Sequence, residues 1–555
     1  MDCKKQNNKK TNDCYCKQYG LWLEKTKNNK ELNDEIVKMD DKEKEDAFFE
    51  EIAFGTGGLR GKIGAGTNRL NEYTVGRVTF GIADYMLKNN LPKKITVAYD
   101  SRRKSKDFAF LAAKIVSSFG ICAEVFGYPS STPLLSFAVR NNKSGMGIVI
   151  TASHNPKEYN GYKVYNNKGC QITDAVANEI TNYIKNHGYF EEYNENKDLI
   201  TVLNENVLNA FIGEIMNYSL FCDKIFYPSV IYTPLNGTGR KPIEKLFEKM
   251  GVKNYLTVPE QAEPDGEFPT CPKPNPEEKT ALDLAVKLAK KECAELVIAT
   301  DPDADRVGVA YRENGEYVFL NGNETGILLE NYILEYKTSR GLMPENPYIV
   351  KTIVTTDMAE KIALDYGVKT YEVLTGFKYI GETIDAIKNG NYIFGMEESF
   401  GYLEGKHVRD KDSVSAVMTV IQAFAYYKSL GLSLRGVLNN LYKKYGYYKT
   451  SLLAKTYEGK SGTKYIEEFM NENRNCPRKE FCGRKIIKYT DYSNGINGLP
   501  KSNVLKFVGE NFSIVMRPSG TEPKIKFYFS ADCLTECESN ELLGELTASI
   551  KALLR

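Results

Sequence analysis

The sequence predicts three similar α/β domains in series and a smaller α+β C-terminal domain, arranged around a central cleft. Three observations favour this fold. Short apolar runs alternate with helical patterns, which is typical of parallel α/β units. The alternation repeats three times between about residue 95 and residue 394, which indicates three related domains. The alternation of apolar runs and helical patterns changes after about residue 446, where the fourth domain is expected to begin.

The elements follow in order along the chain. Residues 1 to about 50 are expected to form charged helix, anchored by Trp22 and Leu23. Apolar runs then predict six strands, at residues 95–99, 147–150, 230–233, 295–299, 348–353 and 392–394. Helical patterns lie between them, for example at residues 280–291 and 358–366, and a last helix is predicted near 540–554. We expect domain boundaries at residues 1–222, 223–322, 323–445 and 446–555.

Composition excludes several classes of function. The chain has 555 residues, a formal net charge of +2 and no basic block of the kind that binds nucleic acid. It contains no apolar run of 18 residues, and its polar N-terminus lacks the apolar stretch of a signal peptide. The twelve cysteines include no C-x-x-C pair, which indicates reduced thiols. We therefore expect a cytoplasmic protein with no nucleic-acid or membrane partner. A monomer or weak dimer is the expected state, although composition does not carry that expectation.

The most informative segment is residues 151–165, TASHNPKEYNGYKVY, which directly follows the apolar strand at residues 147–150. A hydroxyl, an imidazole and an amine lie there within eleven positions, at Ser153, His154 and Lys163. The chain has only three histidines, so a Ser-His pair at a strand end is a specific signal. These groups are the parts of a covalent transfer site. The alternative is an ordinary turn, because the segment also holds Asn-Pro and Asn-Gly dipeptides.

A second loop, DPDADR, spaces three carboxylates at alternate positions, Asp301, Asp303 and Asp305. Carboxylate oxygens suit Mg²⁺ or a similar hard cation. In an extended strand the first and third would lie roughly 13 Å apart, at about 3.3 Å per residue. One ion with ligands at about 2.1 Å cannot bridge that distance. The segment is therefore expected to curl, helped by Pro302.

The acidic loop has three other possible interpretations. An EF-hand is excluded because Arg306 and Arg312 stand where it needs glycine and glutamate. A haloacid-dehalogenase phosphatase stays open, since Asp301 and Asp303 fit its D-x-D signature. A plain solvated acidic turn also stays open at this point. Just before the loop, five prolines between residues 264 and 276 indicate an irregular surface segment inside the second unit.

Two further loops offer groups for a sugar phosphate. Residues 395–402, GMEESFGY, carry carboxylates and a hydroxyl that suit sugar hydroxyls, at Glu397 and Ser399. Residues 407–412 follow with cations that could approach a phosphate, including Lys411. After the strand at residues 512–516, the segment RPSGTEPK combines a guanidinium, hydroxyls and a glycine into an anion cradle, at Arg517, Ser519, Gly520 and Thr521. A simple Pro-Gly turn is the alternative for this last segment.

A glycine-rich loop lies near the N-terminus, at residues 54–62. It is neither a P-loop nor a dinucleotide fingerprint, because Arg60 stands where both spacings need a glycine. No nucleotide site is indicated, and Arg60 is expected to contact a phosphate or leaving group.

Together these loops resemble the α-D-phosphohexomutase superfamily. Its members carry five loops in order: G-[ST]-x-G-x-R-G-like, T-A-S-H-N-P, D-x-D-x-D-R, G-E-x-S and R-x-S-G-T. All five have counterparts here between Gly55 and Thr521, so the resemblance covers almost the whole chain. The sequence is most similar to the branch that holds many bacterial phosphoglucomutases and eukaryotic phosphopentomutases. One loop departs from the pattern, reading GMEES, but the E-x-S spacing of Glu397 and Ser399 is kept.

The resemblance implies a phosphoryl-transfer mechanism with defined roles. Ser153 would carry a phosphoryl group, with Lys163 as first choice for the general acid/base, His154 as the competing choice and Arg60 beside them. One Mg²⁺ per chain would be held by a phosphate oxygen on Ser153 and by Asp301, Asp303 and Asp305. The substrate would be bound by Arg306, Thr375, Gly376, Glu397, Ser399, Lys411, Arg517, Ser519, Gly520 and Thr521.

The implied reaction interconverts glucose 1-phosphate and glucose 6-phosphate through glucose 1,6-bisphosphate, which also acts as activator. A turning intermediate implies that the fourth domain is mobile. The alternatives are a phosphopentomutase, a phosphomannomutase or a glucose 1,6-bisphosphate synthase. From other classes, a phosphatase with a nucleophile at Asp301 and a catalytically silent binding protein stay open.

Overall fold

The computed structural model describes residues 15–55, 57–220, 226–457, 459–496, 498–519 and 523–554. These residues form four consecutive units, each built on its own main sheet. The first three units are α/β and the fourth is α+β, so the predicted fold class is confirmed. The domain boundaries suggested by the sequence stay predictions.

Three charged helices precede the first sheet. They span residues 15–25 (α1), Lys30–Lys38 (α2) and Asp41–Phe48 (α3). Helix α3 begins with a capping box, in which the side chains of Asp40 and Glu43 accept each other's backbone N–H groups. Trp22 is fully buried against the ring of Phe190, and Leu23 packs into the same cluster. The predicted anchoring of this helical segment is therefore confirmed.

The first three units repeat one sheet topology. In each, two parallel strands lie side by side, and a third parallel strand flanks the first of them. The second strand of each pair then turns back as an antiparallel hairpin strand. By residue range, the resulting strand orders are 159–166, 146–150, 94–99, 122–126 in the first unit, 307–313, 296–300, 230–233, 255–257 in the second, and 401–404, 391–397, 347–352, 369–373 in the third. The loop between the second strand and its hairpin partner is therefore equivalent in all three units.

The bounds of these elements are as follows. The first unit contains β1 (Leu59–Lys62), α4 (Glu72–Lys88), β2 (Lys94–Tyr99), α5 (Ser105–Ser118), β3 (Cys122–Phe126), α6 (Thr132–Asn141), β4 (Met146–Ile150), β5 (Tyr159–Asn166), α7 (Asp174–Ile184), β6 (Ile200–Leu203) and α8 (Asn206–Met216). The second contains β7 (Val230–Thr233), α9 (Arg240–Met250), β8 (Tyr255–Thr257), α10 (Asp283–Glu292), β9 (Leu296–Thr300), β10 (Val307–Glu313) and β11 (Glu316–Leu320). The third contains α11 (Gly322–Ser339), β12 (Pro347–Thr352), α12 (Met358–Asp365), β13 (Lys369–Val373), α13 (Phe377–Ala386), β14 (Asn391–Glu397), β15 (Gly401–Glu404), α14 (Ser413–Ser429) and α15 (Leu434–Tyr445).

The central strands are apolar because both faces of each sheet are covered. Every residue of β4 (MGIVI) and of β9 (LVIAT) is buried, as expected for strands between two helical layers. Each run ends abruptly in polar residues at the carboxyl end of the strand, where sites form in open α/β sheets. The six strands predicted from the sequence all form, with ends that differ by at most a few residues.

The fourth unit is an antiparallel sheet covered by two helices. Its strand order is β16-β22-β21-β20-β19, and a two-stranded hairpin, β17-β18, lies beside it. The elements are β16 (Tyr447–Thr456), α16 (Gly459–Asn475), β17 (Glu480–Phe481), β18 (Arg484–Lys485), β19 (Lys488–Asp491), β20 (Leu505–Val508), β21 (Phe512–Pro518), β22 (Lys524–Cys533) and α17 (Glu536–Leu553).

The first three units share one apolar core, whereas the fourth unit has its own. One apolar cluster contains buried residues of the first, second and third units, from Ala98 to Tyr442, and also includes Tyr448 of the fourth unit. The fourth unit has a core of its own and meets the third through a small cluster that includes Ile353 and Tyr528. Within the described part of the chain, every helix is too short or too polar to span a bilayer.

Candidate active site

The loop after β4 presents Ser153 in an unusual backbone conformation. Its φ is 52°, in the left-handed region that non-glycine residues seldom adopt, and its side chain is buried. The Ser153 N–H donates to Thr151 Oγ1 at 2.8 Å, which supports the turn. The Ser153 Oγ donates to Asp301 Oδ2 at 2.7 Å and lies 3.2 Å from His154 Nδ1. The serine loop of the first unit and the acidic loop of the second therefore meet at one point.

A buried arginine holds the serine loop from behind, and the sequence reasoning missed it. The guanidinium of Arg102 donates to the carbonyl oxygens of Pro156 at 2.9 Å and of Tyr159 at 3.0 Å. It also donates to those of Ser153 and Asn155, each at 2.5 Å. Arg102 stands in the run SRRK, which looks like an ordinary exposed charged segment, so no sequence signal marks it.

The acidic loop after β9 curls as predicted. Asp301, Asp303 and Asp305 are all buried, and each offers an oxygen within 4.8 Å of the others. The N–H groups of Asp305 and Arg306 both donate to Asp301 Oδ1 at 3.0 Å, and Ala304 has a left-handed φ of 52°. These two bonds and the left-handed residue fold the segment back on itself.

The donor set of this loop fits a divalent cation. Asp303 Oδ1 and Asp305 Oδ1 are shielded from solvent, and neither has a hydrogen-bond partner among the described residues. Buried carboxylate oxygens without donors are costly unless a cation approaches them. Three converging carboxylates are the ligands that Mg²⁺ prefers. The loop is therefore a candidate magnesium site.

Two lysines from other units partly balance the acidic loop. Lys163 Nζ, on β5, donates to Asp303 Oδ2 at 2.8 Å, and Lys411 Nζ lies 3.2 Å from Asp305 Oδ2. Burial, together with the neighbouring aspartates, raises the pKa of Asp301 well above its usual range. Burial would also raise the pKa of Asp303, but the ammonium of Lys163 and its hydrogen bonds hold that pKa below the usual range.

The basic side chains around Ser153 differ in charge and in their contacts. Burial, followed by the charges of Arg306 and Arg60, lowers the pKa of His154 well below 6.5, so the imidazole is neutral at pH 7. Arg60 lies on β1, with its Nη1 3.5 Å from Asn155 Oδ1. Arg306 forms an ion pair with Glu277, and its Nε lies 3.8 Å from Asp305 Oδ1.

The glycine-rich loop packs directly against β5. Gly58 has a φ of 78°, and a Cβ at that position would lie 1.8 Å from the carbonyl oxygen of Tyr162. Only glycine fits there, and the close contact sets the strand that carries Arg60 beside the serine loop.

The loop after β14 joins two predicted sugar-binding segments. Glu397 Oε1 accepts the N–H of Gly376 at 2.8 Å, so the Thr375-Gly376 pair lies beside the third-unit loop. Thr375 Oγ1 is shielded from solvent and has no hydrogen-bond partner among the described residues. Burial raises the pKa of Glu397, and burial together with Glu397 raises the pKa of Glu398 to about 7. Ser399 lies half-buried in the tight turn that follows.

The cations at residues 407–411 have different surroundings. Only Lys411 of this group reaches the acidic loop among the described residues. His407 Nε2 lies 2.8 Å from Asp412 Oδ2, and Arg409 Nε lies 2.9 Å from Asp385 Oδ1. Tyr165 donates to Asp410, which in turn lies 3.2 Å from Lys411 Nζ, so β5 and the third unit fix this lysine together.

The cradle of the fourth unit is only partly described. Arg517 lies opposite Lys526 in the β21-β22 pair, and the Ser519 N–H donates to the carbonyl of Lys524 at 2.7 Å. Gly520 and Thr521 lie outside the described residues. Burial, followed by the charge of Arg517, lowers the pKa of Lys526. Lys526 therefore adds a cation that the sequence reasoning missed; its position opposite Arg517 could have been read only with the strand register.

Comparison with known proteins agrees with this geometry. Models of the phosphoglucomutase/phosphomannomutase family match the chain in order, as α/β/α domain I at residues 51–190, domain II at 211–315, domain III at 321–445 and the C-terminal domain at 473–546. The chain belongs to this family. The earlier resemblance to phosphohexomutases is confirmed.

Relatives of the family cover nearly the whole chain. A phosphoglucomutase of Staphylococcus saprophyticus is 37% identical over 560 aligned residues, which cover 96% of this chain and 98% of that protein. A phosphoglucomutase of Staphylococcus aureus is 34% identical and covers 92% of this chain and 95% of its own length.

Solved structures of the family share the fold. A phosphoglucomutase/phosphomannomutase family protein of Burkholderia thailandensis has a TM-score of 0.69 at 17% identity, covering 90% of this chain and 97% of that chain. The pp63/parafusin phosphoglucomutase of Paramecium, in an open form, has a TM-score of 0.68 at 20% identity, covering 90% and 93%. At such identities the likeness shows the fold alone.

Proposed function

We propose that the chain is a phosphoglucomutase that interconverts glucose 1-phosphate and glucose 6-phosphate through a phosphorylated Ser153. The observation that carries this proposal is the 2.7 Å contact between Ser153 Oγ and Asp301 Oδ2, which brings a nucleophilic hydroxyl against a buried triad of carboxylates. Relatives that carry the phosphoglucomutase name at 34–37% identity support glucose as the sugar.

The triad would hold one Mg²⁺ per chain, together with a phosphate oxygen on Ser153. Its charge would stabilise the transferring phosphoryl group, where positioning and electrostatics supply most of the catalysis. Lys163 and Lys411 approach the same carboxylates, at 2.8 Å and 3.2 Å, and keep the charge of the loop partly balanced.

The transfer itself moves one phosphoryl group between two oxygens. A sugar hydroxyl attacks the phosphorus, the bond to Ser153 Oγ breaks, and the hydroxyl proton passes to a base. The sugar bisphosphate turns end for end, and its other phosphoryl group returns to Ser153. Lys163 stays our first choice for the acid/base, since its Nζ lies in the cluster, 2.8 Å from Asp303 Oδ2; it would take up the proton as the neutral amine and return it as the ammonium. His154 is the competitor, because its neutral Nδ1 lies 3.2 Å from Ser153 Oγ.

The other loops would grip the rest of the substrate. We assign sugar hydroxyls to the third-unit residues Thr375, Gly376, Glu397 and Ser399. We assign the phosphate that is not reacting to the fourth-unit residues Arg517, Ser519, Gly520, Thr521 and Lys526. We assign Arg306, beside Asp305, and Arg60, beside Asn155, to contacts with the transferring phosphate. The fourth unit has a core of its own, and Tyr448 is the one buried residue that it adds to the large apolar cluster among the described residues, which supports a fourth unit that moves as the intermediate turns.

Coupled assays on three sugar phosphates test this function. With Mg²⁺ and catalytic glucose 1,6-bisphosphate as activator, we expect a higher kcat/KM on glucose 1-phosphate than on mannose 1-phosphate or ribose 1-phosphate. A preference for ribose 1-phosphate would instead indicate a phosphopentomutase. Net phosphate release with Ser153 dispensable would indicate a phosphatase, and no turnover at all would indicate a binding protein.

Two controls complete the assay. Removal of divalent ions with EDTA should abolish turnover, and added Mg²⁺ should restore it. Titration of the apoenzyme with Mg²⁺ measures the proposed one ion per chain. From its composition we also propose a cytoplasmic location; the further proposal of a monomer or weak dimer is tested by light scattering.

A further inference from the structure

The proline-rich segment before α10 is anchored to the strand that leaves the acidic loop. Pro274 and Pro276 are buried, although the composition suggests a surface segment. A Cβ at Gly308 of β10 would lie 2.8 Å from the Pro276 Cβ, so the two backbones are in direct contact. The next residue is Glu277, whose N–H donates to Asn275 Oδ1 at 3.2 Å. The segment therefore holds the carboxylate of Glu277 in a fixed position beside the acidic loop.

Glu277 lies beside Arg306, next to the acidic loop of the proposed site. Its carboxylate pairs with Arg306, and the two side chains are only 29% and 17% exposed. The opposite side of the Arg306 guanidinium faces the acidic loop, with Nε 3.8 Å from Asp305 Oδ1. Burial lowers the pKa of Lys526, on the fourth unit, and raises that of Glu398, on the third, and the negative charge of Glu277 raises the pKa of both.

This position makes Glu277 a counter-ion to the cations that would bind phosphate. Arg306 pairs with Glu277 directly, and the charge of Glu277 raises the pKa of Lys526 against the larger effect of burial, so a substrate phosphate bound by these cations would compete with Glu277. Stronger cations alone would bind a bisphosphate intermediate tightly and uniformly, which lowers KM without helping the chemical step. In a mutase the bisphosphate intermediate must turn end for end, so binding it too tightly would slow turnover.

We propose that Glu277 is a positioning residue that holds Arg306 beside the acidic loop. Its negative charge also lowers the affinity of the site for the bisphosphate, so that the intermediate can turn. This inference rests on the proposed function and deepens it. It distinguishes Glu277 from a residue that binds sugar, whose loss would raise KM, and from a purely structural residue, whose loss would leave KM unchanged in the folded fraction.

Glu277→Gln tests the proposal because it removes the charge and keeps the shape. Glu278→Gln is the matched control, since Glu278 is adjacent, exposed and outside every ion pair found in the described residues. For glucose 1-phosphate we expect Glu277→Gln to lower both KM and kcat by roughly tenfold, the size expected for one partly solvated charge beside a phosphate. The control should match the wild type. A KM that rises or stays constant overturns the proposal.

A binding experiment tests the same claim without turnover. In a Ser153→Ala background, where no phosphoryl transfer can occur, calorimetry measures the Kd of glucose 1,6-bisphosphate. Adding Glu277→Gln should lower that Kd roughly tenfold, and adding Glu278→Gln should not change it. An unchanged or weaker affinity with Glu277→Gln overturns the inference. If the wild type shows no mutase activity, the proposed function fails, and this binding comparison still decides the role of Glu277.

Discussion

Replacement of Arg102 by methionine tests whether this buried arginine positions the serine loop. The Arg102 guanidinium donates to four carbonyl oxygens of that loop, those of Ser153, Asn155, Pro156 and Tyr159. Its Nε lies 3.2 Å from Asp100 Oδ2, and neither side chain is exposed. Methionine fills a similar volume, but it removes all five contacts and leaves the Asp100 carboxylate buried without a cation.

The cost follows from these contacts. Removing one partner of a buried ion pair costs about 3–5 kcal/mol. For a domain of this size, each kcal/mol of lost stability lowers the Tm by about 2–4 °C. A loss of about 4 kcal/mol therefore predicts a Tm that falls by roughly 8–16 °C. The freed loop lets Ser153 move, and a misplacement of about 1 Å at a reacting group costs about 10²-fold in rate. Both stability and kcat are therefore expected to fall.

Arg103→Met is the matched control for this experiment. Arg103 is the next residue, but its side chain is 55% exposed and pairs with Glu267 at the surface, where an ion pair contributes at most about 1 kcal/mol. Thermal unfolding and the coupled mutase assay are run on both variants and on Asp100→Asn/Arg102→Met, which should regain part of the lost Tm but not the rate. A Tm and kcat for Arg102→Met that equal those of Arg103→Met would refute the reasoning.

Three other variants extend the test. Ser153→Ala should lose at least about 10³-fold of mutase activity, because a covalent carrier acts as a unit with its surroundings; near-normal turnover would end the phosphoserine proposal. Burial raises the pKa of Glu330 well above its usual range, and neither oxygen has a hydrogen-bond partner in the described structure. The folded state therefore binds a proton that the unfolded state releases above about pH 4.3, so stability falls as pH rises through this window. The Tm of Glu330→Gln should accordingly gain on the wild type between pH 5.5 and about pH 7.5, and a constant gap would contradict this. Lys506 of the fourth unit donates to the Ile353 carbonyl at 3.2 Å and lies 3.4 Å from Glu372. Lys506→Met should therefore lower the free energy of unfolding of the first thermal transition by about 1–3 kcal/mol. An unchanged free energy would mean that this contact does not hold the two units together.

Much of the fold could be predicted because it depends on local patterns. The apolar runs that became β4 and β9 are continuous, and polar residues end them abruptly, so strand and loop are both visible in one window. The curl of the acidic loop followed from distance alone, since Asp301 and Asp305 in an extended chain could not share an ion. Backbone bonds to Asp301 then supplied that curl in the structure.

The residues that the sequence reasoning missed act across the chain. Arg102 reaches carbonyls that lie more than fifty positions away, and Glu277 pairs with a side chain 29 positions away. Charged residues in SRRK or in a proline-rich segment look like solvated surface, because periodicity reports burial only for regular elements. Lys526 became visible only once the register placed it opposite Arg517.

The phosphorylation state of Ser153 tests the central claim most directly. Intact-mass analysis of the purified enzyme, followed by peptide mapping, locates any bound phosphate, and a brief incubation with glucose 1-phosphate shows whether it leaves. The account predicts one phosphate per chain on Ser153 that transfers to the sugar and appears as glucose 1,6-bisphosphate. A phosphate on Asp301 instead, or one on Ser153 that the sugar never removes, would contradict it.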